Sequence, residues 1–542
     1  MSLMFESNIV DILNERIFPG RLEIENGKIK SIEEIEGNFD NFILPGFIDS
    51  HIHTESSMLV PSNFAKVASV HGTVATISDP HEIANVLGIK GVEFMINDAA
   101  KVPFKFYFGA PSCVPATTFE TAGGIITGND IEELFDKYHL RYLSEMMNYP
   151  GVIFEDKEVL EKIKIAKMRA LPIDGHSPKL RGRDLEKYIN AGISTDHETT
   201  ELDEALEKIS LGMKILIREG SAANDFDKLN SLISSDNEMV MFCSDDKHPD
   251  DLIKGHINLM VKKAIQNGHD LFKVLKAATC NPVKHYNLDV GLLRIGDDAD
   301  FIIVNNLTEL SVINTFVKAI KIAENGHSLL PDLEINLINK FNCSEKFPYN
   351  FFVKPQGKKV KVIEVIDGEI ITKSTTAEEF VIHSNVVSDI SKDILKCAVV
   401  NRYANTKPAV GFVKGFGLKT GAIASSVAHD SHNIFAVGVS DNEICKAVNA
   451  VINLGGGLVA VDGTDYSLLP LPVAGLMSDR NAYEVAEKYS LLQEKVRSFG
   501  SCLKSPFMTL SFLALLVIPS LKLSDKGLFD VQTFSFTELH TE

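Results

Sequence analysis

A chain of 542 residues has room for two or three domains at roughly 100–200 residues each, or for one large barrel with additions. Its 45% hydrophobic content supports a sizeable core. A net charge of −19 excludes a surface built to bind nucleic-acid phosphates or to dock on an anionic membrane.

The seven cysteines are scattered and never spaced CxxC, which excludes a disulfide framework and a thiolate zinc site. The opening MSLMFESNIVDILNERIFPG has neither the basic nor the apolar region of a signal peptide. A cytoplasmic protein is expected.

Residues 7–45 read as short strands with turns at Pro19 and Gly20 and at Asn26 and Gly27. RLEIENGKIKSIEEI alternates around its Asn-Gly, a hairpin signal. From residue 46 the pattern changes. Eight short apolar runs, at 46–51, 73–78, 104–109, 141–145, 170–176, 193–197, 213–218 and 239–244, read as strands. Helix-like stretches such as 130–137, 157–167 and 201–210 lie between most of them. This alternation predicts a (β/α)8 TIM-type barrel over 46–282, close to the size of about 250 residues typical of that fold. A doubly wound open sheet would carry a Gly-rich phosphate loop after its first strand, and His-x-His stands there instead.

DLFKVLKAATCNPVKHYNL then reads as a helix stopped by Asn281 and Pro282. VGLLRIGDDADFIIVNN returns to strand and turn chemistry, so residues 1–45 and 283–335 are expected to form one small β domain from both barrel flanks. Residues 340–542 are expected to form a C-terminal mixed α/β domain, with strands and tight turns first and a helix near 481–497. NLGGGLV is a turn, because no Gly-Lys-Ser/Thr follows it. MTLSFLALLVIP, at 508–519, is too short to span a bilayer and reads as a buried core element. The fold class is α/β throughout.

In a barrel of this kind, chemistry sits where strands end at the C-terminal face. The first run ends in His51-Ile52-His53. Residues two apart in an extended segment point the same way, so both rings can reach one metal ion. Glu145 ends the fourth run, His176 the fifth, His197 the sixth and Asp245 the eighth. Four imidazoles and two carboxylates without a thiolate suit divalent zinc, manganese, iron or cobalt. They suffice for two ions, which a bridging Glu145 would hold within about 4 Å. One histidine at a strand end is usually a cap or a surface group. Five strand ends carrying ligand-type residues point to a metal centre. Glu155 competes with Glu145 but falls past the turn at Pro150 and Gly151. The deaminase scheme that pairs H-x-E with P-C-x-x-C is excluded: His53-Thr54-Glu55 matches its first half, and no PCxxC follows.

PGFIDSHIHTESS resembles the first-strand signature of the amidohydrolases. ESSMLVPSNFAKVASVHGTVATISDPHEIANVLG, GAPSCVPATTFETAGG, LSEMMNYPGVI, IDGHSPKLRG, FCSDDKHPDDL and the C-terminal SSVAHDSHNIFAVG resemble the adenine deaminase family within them, and the likeness spans essentially the whole chain. The resemblance implies hydrolysis of adenine to hypoxanthine and ammonia in purine salvage. It also implies a binuclear manganese or iron centre, with zinc as an alternative, and a homodimer is expected. By position, His51, His53, Glu145, His176, His197 and Asp245 take the family's metal and catalytic roles. Glu145 stands where many amidohydrolases have a carboxylated lysine, which disfavours hydantoinase or dihydroorotase chemistry.

In that mechanism Asp245 is the expected proton shuttle, since Asp246 should point the other way, and His197 is counted among the catalytic groups. Glu120, in TTFETAGG, is the expected acid for the purine ring, with a solvent-facing turn carboxylate as its bland alternative. Ser112 is expected to help hold the purine. His81 and Glu82 either line the pocket or start the following helix. Arg218 and Glu219 are expected to pair as a buried structural ion pair, and His429 and His432 to serve structural hydrogen bonds. Two other functions remain open at this point. One is an amidohydrolase acting on another aminopurine, a pterin or a cyclic amide. The other is a non-catalytic assembly protein on the same barrel, whose mark would be lost ligands.

Overall fold

The computed structural model describes residues 2–221 and 223–542. The chain divides into two units. One comprises Met1–Pro80, Glu93–Ser112 and Thr127–Glu334; the other comprises His81–Val92, Cys113–Ile126 and Ile335–Glu542.

The first unit opens with β1 (Ser2–Asp11), β2 (Arg16–Glu25), β3 (Lys28–Glu34) and β4 (Phe42–Pro45). Asn26 and Gly27 turn β2 into β3 with φ of 53° and 79°, the positive values that a two-residue hairpin turn of this hand requires. The turn expected at Pro19 and Gly20 is not there. Both residues lie within β2, paired with Asn8 and Ser7 of β1. The chain reverses before β2 instead, where the Asp11 carboxylate accepts the Asn14 N–H at 3.0 Å. The apolar alternation decides this: Ile9, Phe18, Leu22 and Ile24 all face one core cluster, and a break at Pro19 would divide them. The Pro19 carbonyl still accepts the Ile35 N–H at 2.9 Å.

Eight parallel strands follow. They are β5 (Phe47–Ile52), β6 (Thr73–Ser78), β7 (Lys105–Phe108), β8 (Leu143–Met146), β9 (Ile173–Gly175), β10 (Thr195–Asp196), β11 (Lys214–Arg218) and β12 (Val240–Cys243). β5, β6 and β7 pair in order, as do β8 with β9 and β10 with β11 and β12. A bridge between Ala110 and Leu143 continues β7 to β8, and the Ser194 N–H to Ile173 carbonyl bond (2.9 Å) links β9 to β10. A parallel bridge between Ile52 and Asp245 brings the end of β12 back to β5. This is a TIM-type barrel, and each apolar run of the sequence holds one of its strands. β9 is shorter than its run because side chains take over the backbone donors at its end. The His176 N–H bonds to the Tyr188 hydroxyl (3.1 Å) and the Ser177 N–H to Asp196 (2.7 Å).

The last strands of the unit are β13 (Phe301–Val304), β14 (Val312–Val317), β15 (Ile320–Glu324) and β16 (His327–Ser328). They join the first four in one sheet of order β16-β15-β14-β13-β4-β1-β2-β3. The helix expected to stop at Asn281 and Pro282 is two helices, Leu271–Ala278 and Cys280–Tyr286. Pro282 sits in the first turn of the second, where its missing N–H would have had no partner within the helix.

In the second unit a large sheet runs through strands Lys359–Val365, Ala409–Lys414, Ile394–Val400, Ile434–Gly438, Ala422–Ser425 and Gly457–Asp462. Helix Asp441–Leu454 packs on it through Ile444, Ala447, Val448 and Val451. The Ser440 hydroxyl caps this helix at its start, and Gly455, with φ of 68°, ends it. That ending is the glycine turn of NLGGGLV. Residues 508–519 are a buried helix end and turn, with Leu510, Leu513, Leu516 and Ile518 in the core. Among the described residues no helix is long and apolar enough to cross a membrane. Segments 81–92 and 113–126, which lie outside the expected 340–542 range, group with Ile335–Glu542 in this unit.

Candidate metal centre

Six of the expected side chains meet at the strand ends of the first unit. His51 lies one residue before the end of β5 with His53 just beyond the strand, and Glu145 lies in β8. His176, His197 and Asp245 follow β9, β10 and β12. All are at most 7% exposed. Glu145 is the hub. Its Oε1 lies 3.2 Å from His53 Nε2 and 4.0 Å from His51 Nε2. Its Oε2 lies 2.7 Å from His176 Nδ1 and 3.3 Å from His197 Nε2. Asp245 Oδ1 stands 3.2 Å from His53 Nε2 and 3.6 Å from His51 Nε2. The alternative carboxylates point elsewhere. Glu155 is exposed, and Asp246 accepts the Ser56 hydroxyl at 2.5 Å.

This donor set fits a cation. His51 Nε2 and His53 Nε2 face each other at 3.2 Å, and the buried Nε2 of His176 has no hydrogen-bond partner among the described residues. Burial pushes the Glu145 carboxyl up, but His176 and His197 outweigh it and hold the group well below the usual range. Burial likewise raises Asp245, and His51, His53 and Arg218 hold it well below. Burial works against charge on His197, yet Glu145 and the neighbouring carboxylates raise it to about 9. The buried carboxylates thus draw positive charge onto His53, His176 and His197, while burial holds His51 below its ordinary value; a divalent ion takes that role when these nitrogens act as ligands.

The framework behind the cluster is dense. Asp245 has φ of 53°, a strained value for a non-glycine residue, and is pinned there by its N–H bond to the His51 carbonyl (2.9 Å). Lys208 is fully buried and donates to Asp196 (3.0 Å), Glu204 (2.7 Å) and the Ser177 carbonyl (2.9 Å). It thereby ties the segment after His176 to the residue before His197. Asp49 accepts the Ser244 N–H at 3.0 Å and lies 2.8 Å from His256 Nε2, which locks β5 to the end of β12. Ser112, expected at the purine, gives its hydroxyl to the Glu145 carbonyl at 2.5 Å, so its visible work is to place Glu145.

Arg218 does not pair with Glu219, because neighbours on a strand point to opposite sides. Glu219 bonds to Lys263 at 2.7 Å. Arg218, 2% exposed, joins Glu198, Asp245 (2.8 Å) and Asp225 (3.2 Å). Arg218→Met is therefore expected to leave three buried carboxylates without their shared cation and to cost about 3–5 kcal/mol of stability. Urea unfolding at neutral pH measures this; a loss under about 1 kcal/mol would contradict it.

Glu198 is the main residue that sequence reasoning missed. Its Oε1 lies 3.6 Å from His197 Nε2 and 3.9 Å from His176 Nδ1. In a continuing strand it would point away from His197, but β10 ends at Asp196, which frees both side chains to turn inward. The acidic residue directly after the histidine in STDHE was the available signal.

Glu120, His81 and Glu82 belong to the second unit. His81 and Glu82 open helix His81–Leu87. Glu82 lies 2.6 Å from His429 Nδ1 and contacts His432 Nε2. His429 and His432 thus both face the Glu82 carboxylate. Glu120 is 4% exposed, so it is not a solvent-facing turn carboxylate. Burial, then Asp430, pushes its carboxyl well above the usual range, the direction that favours the protonated form.

A TIM-type barrel with buried imidazoles and carboxylates at its strand ends defines a hydrolase of the amidohydrolase class, and residues 42–329 match the amidohydrolase family model. Residues 369–535 match a model described as the adenine deaminase C-terminal domain. An adenine deaminase of Sulfurovum sp. is 53% identical over 98% of this chain and 99% of its own length. One of Methanosarcina acetivorans is 50% identical over the same shares. A solved β-aspartyl dipeptidase from Fervidobacterium islandicum is 15% identical, with a TM-score of 0.47 over 62% of this chain and all of its own. This chain belongs to the adenine deaminase family of amidohydrolases.

Proposed function

We infer that the chain hydrolyses the C6–N bond of adenine to give hypoxanthine and ammonia, and that the reaction takes place at the Glu145 cluster. The observation that carries this reading is Glu145 itself, whose two oxygens address two separate pairs of imidazoles. Two divalent ions, manganese or iron, are proposed there. His51, His53 and Asp245 would hold one, His176 and His197 the other, and Glu145 both. When bound, such ions bring the acidity of water toward neutrality and stabilise negative charge on oxygen.

The remaining work falls to the chain. Asp245, held as a carboxylate, takes the proton released as water oxygen forms its bond to C6. As that bond forms the C6=N1 π pair moves onto N1; Asp245 then returns the proton to the exocyclic nitrogen, the pair comes back to restore C6=N1, and the C6–N bond breaks with neutral ammonia as the leaving group, giving the 6-hydroxy tautomer of hypoxanthine. Arg218, at 2.8 Å from Asp245 Oδ2, keeps the carboxylate charged and aimed. His197 and Glu198 turn inward together, and Arg218 holds Glu198 beside Asp245. The chain is proposed to act in purine salvage, as a cytoplasmic dimer. All seven cysteines are unbridged, which supports a reducing compartment.

Ammonia release across a panel of adenine, guanine, a pterin and a cyclic amide tests the assignment. Adenine is expected to be preferred by about 100-fold or more. Turnover of the pterin or the cyclic amide with none of adenine would overturn it.

A further inference from the structure

The second unit carries a donor cluster of its own. Helix His81–Leu87 places His81 and Glu82 in its first turn, and the segment after strand Ala422–Ser425 brings up His429, Asp430 and His432. None is more than 5% exposed. Glu82 Oε1 lies 2.6 Å from His429 Nδ1 and 3.7 Å from His81 Nε2. Asp430 Oδ1 lies 4.0 Å from each of the same two nitrogens. Ligands at about 2.1 Å from an ion stand about 3.4 Å apart in a tetrahedron. These separations scatter around that value.

His432 plays a different part. Its Nδ1 accepts the Ala428 N–H at 3.3 Å, so the neutral ring carries its proton on Nε2, the atom that faces Glu82 Oε2. It therefore orients the Glu82 carboxylate from outside and leaves Oε1 for the other three groups. The His429 ring is stacked on Phe512 at 4.6 Å, which fixes the direction of Nδ1. Two carboxylates and two neutral imidazoles carry a charge of −2, the complement of a divalent ion.

We propose that His81 Nε2, Glu82 Oε1, His429 Nδ1 and Asp430 Oδ1 form a divalent-cation site within the second unit. Two nitrogens and two oxygens without a thiolate suit zinc or another first-row ion. The site joins positions 347 residues apart and pins segment 81–92 to the strands that follow it in this unit. Closing so long a loop is the contribution a metal clip makes best.

The test uses the full-length protein, stripped with a chelator and reloaded with zinc alone. Metal is counted in a variant lacking the barrel ligands (His53→Gln, His176→Gln, His197→Gln) and in the same variant with His429→Gln and Asp430→Asn added. The first is expected to retain about one equivalent of zinc and the second to lose it. Absence of zinc from the first variant, with its circular dichroism spectrum intact, would overturn the site. Anomalous diffraction at the zinc edge from the unsubstituted protein requires no variant to fold. A peak among the four ligand atoms supports the site, and an empty map there overturns it.

Discussion

Glu145→Gln is expected to lower adenine turnover by about 1,000-fold and to reduce the metal content of the purified protein. The carboxylate serves both imidazole pairs, at 3.2 Å from His53, 2.7 Å from His176 and 3.3 Å from His197. Glutamine keeps the shape but removes the charge, and its amide turns N–H donors toward nitrogens that must stay unprotonated to bind an ion. Losing several kcal/mol of charge stabilisation corresponds to about three orders of magnitude in rate. Steady-state rates and elemental analysis on the same preparation check both halves. A variant that kept more than about a tenth of its activity with full metal content would contradict the hub role.

Asp245→Asn is the second large effect. It is expected to lower kcat by about 100- to 10,000-fold, with kcat and kcat/KM falling together. The amide retains the backbone bridge to β5 but cannot accept and return a proton. The pH profile supplies an independent check. His51, His53 and Arg218 hold the Asp245 carboxyl well below its ordinary value. Its charged form is therefore present above that ordinary value and is lost only as pH falls through the lower folded one. The acid limb of the wild-type profile should not arise from Asp245 at pH 5–7. Asp246→Asn is the control. Its carboxylate serves the Ser56 hydroxyl, and a change of a few-fold is expected. A larger loss there than at Asp245 would reverse the assignment.

The barrel strands were legible because each is a short buried apolar run, and the polar ends stood out against them. Position along an extended segment also placed His51 and His53 on one side. Local signals failed where a longer-range contact outweighed them. Pro19 and Gly20 look like a turn, yet Ile9 and Phe18 hold them in a paired strand. Pro282 looks like a helix stop but opens a second helix. Glu198 was hidden because its direction depends on β10 ending two residues earlier. The membership of segments 81–92 and 113–126 in the second unit had no local mark at all. The partner of Glu82 is His429, 347 residues further on, and no periodicity reports a contact of that range.

In the proposed mechanism the Glu145 cluster works only with a cation in it. The most direct measurement follows the ultraviolet absorbance of adenine with chelator-stripped protein, before and after addition of manganese, iron or zinc separately. Stripped protein is expected to be silent, with turnover returning on addition of at least one of these ions. Full turnover by the stripped protein, or none with any of the three, would contradict the account.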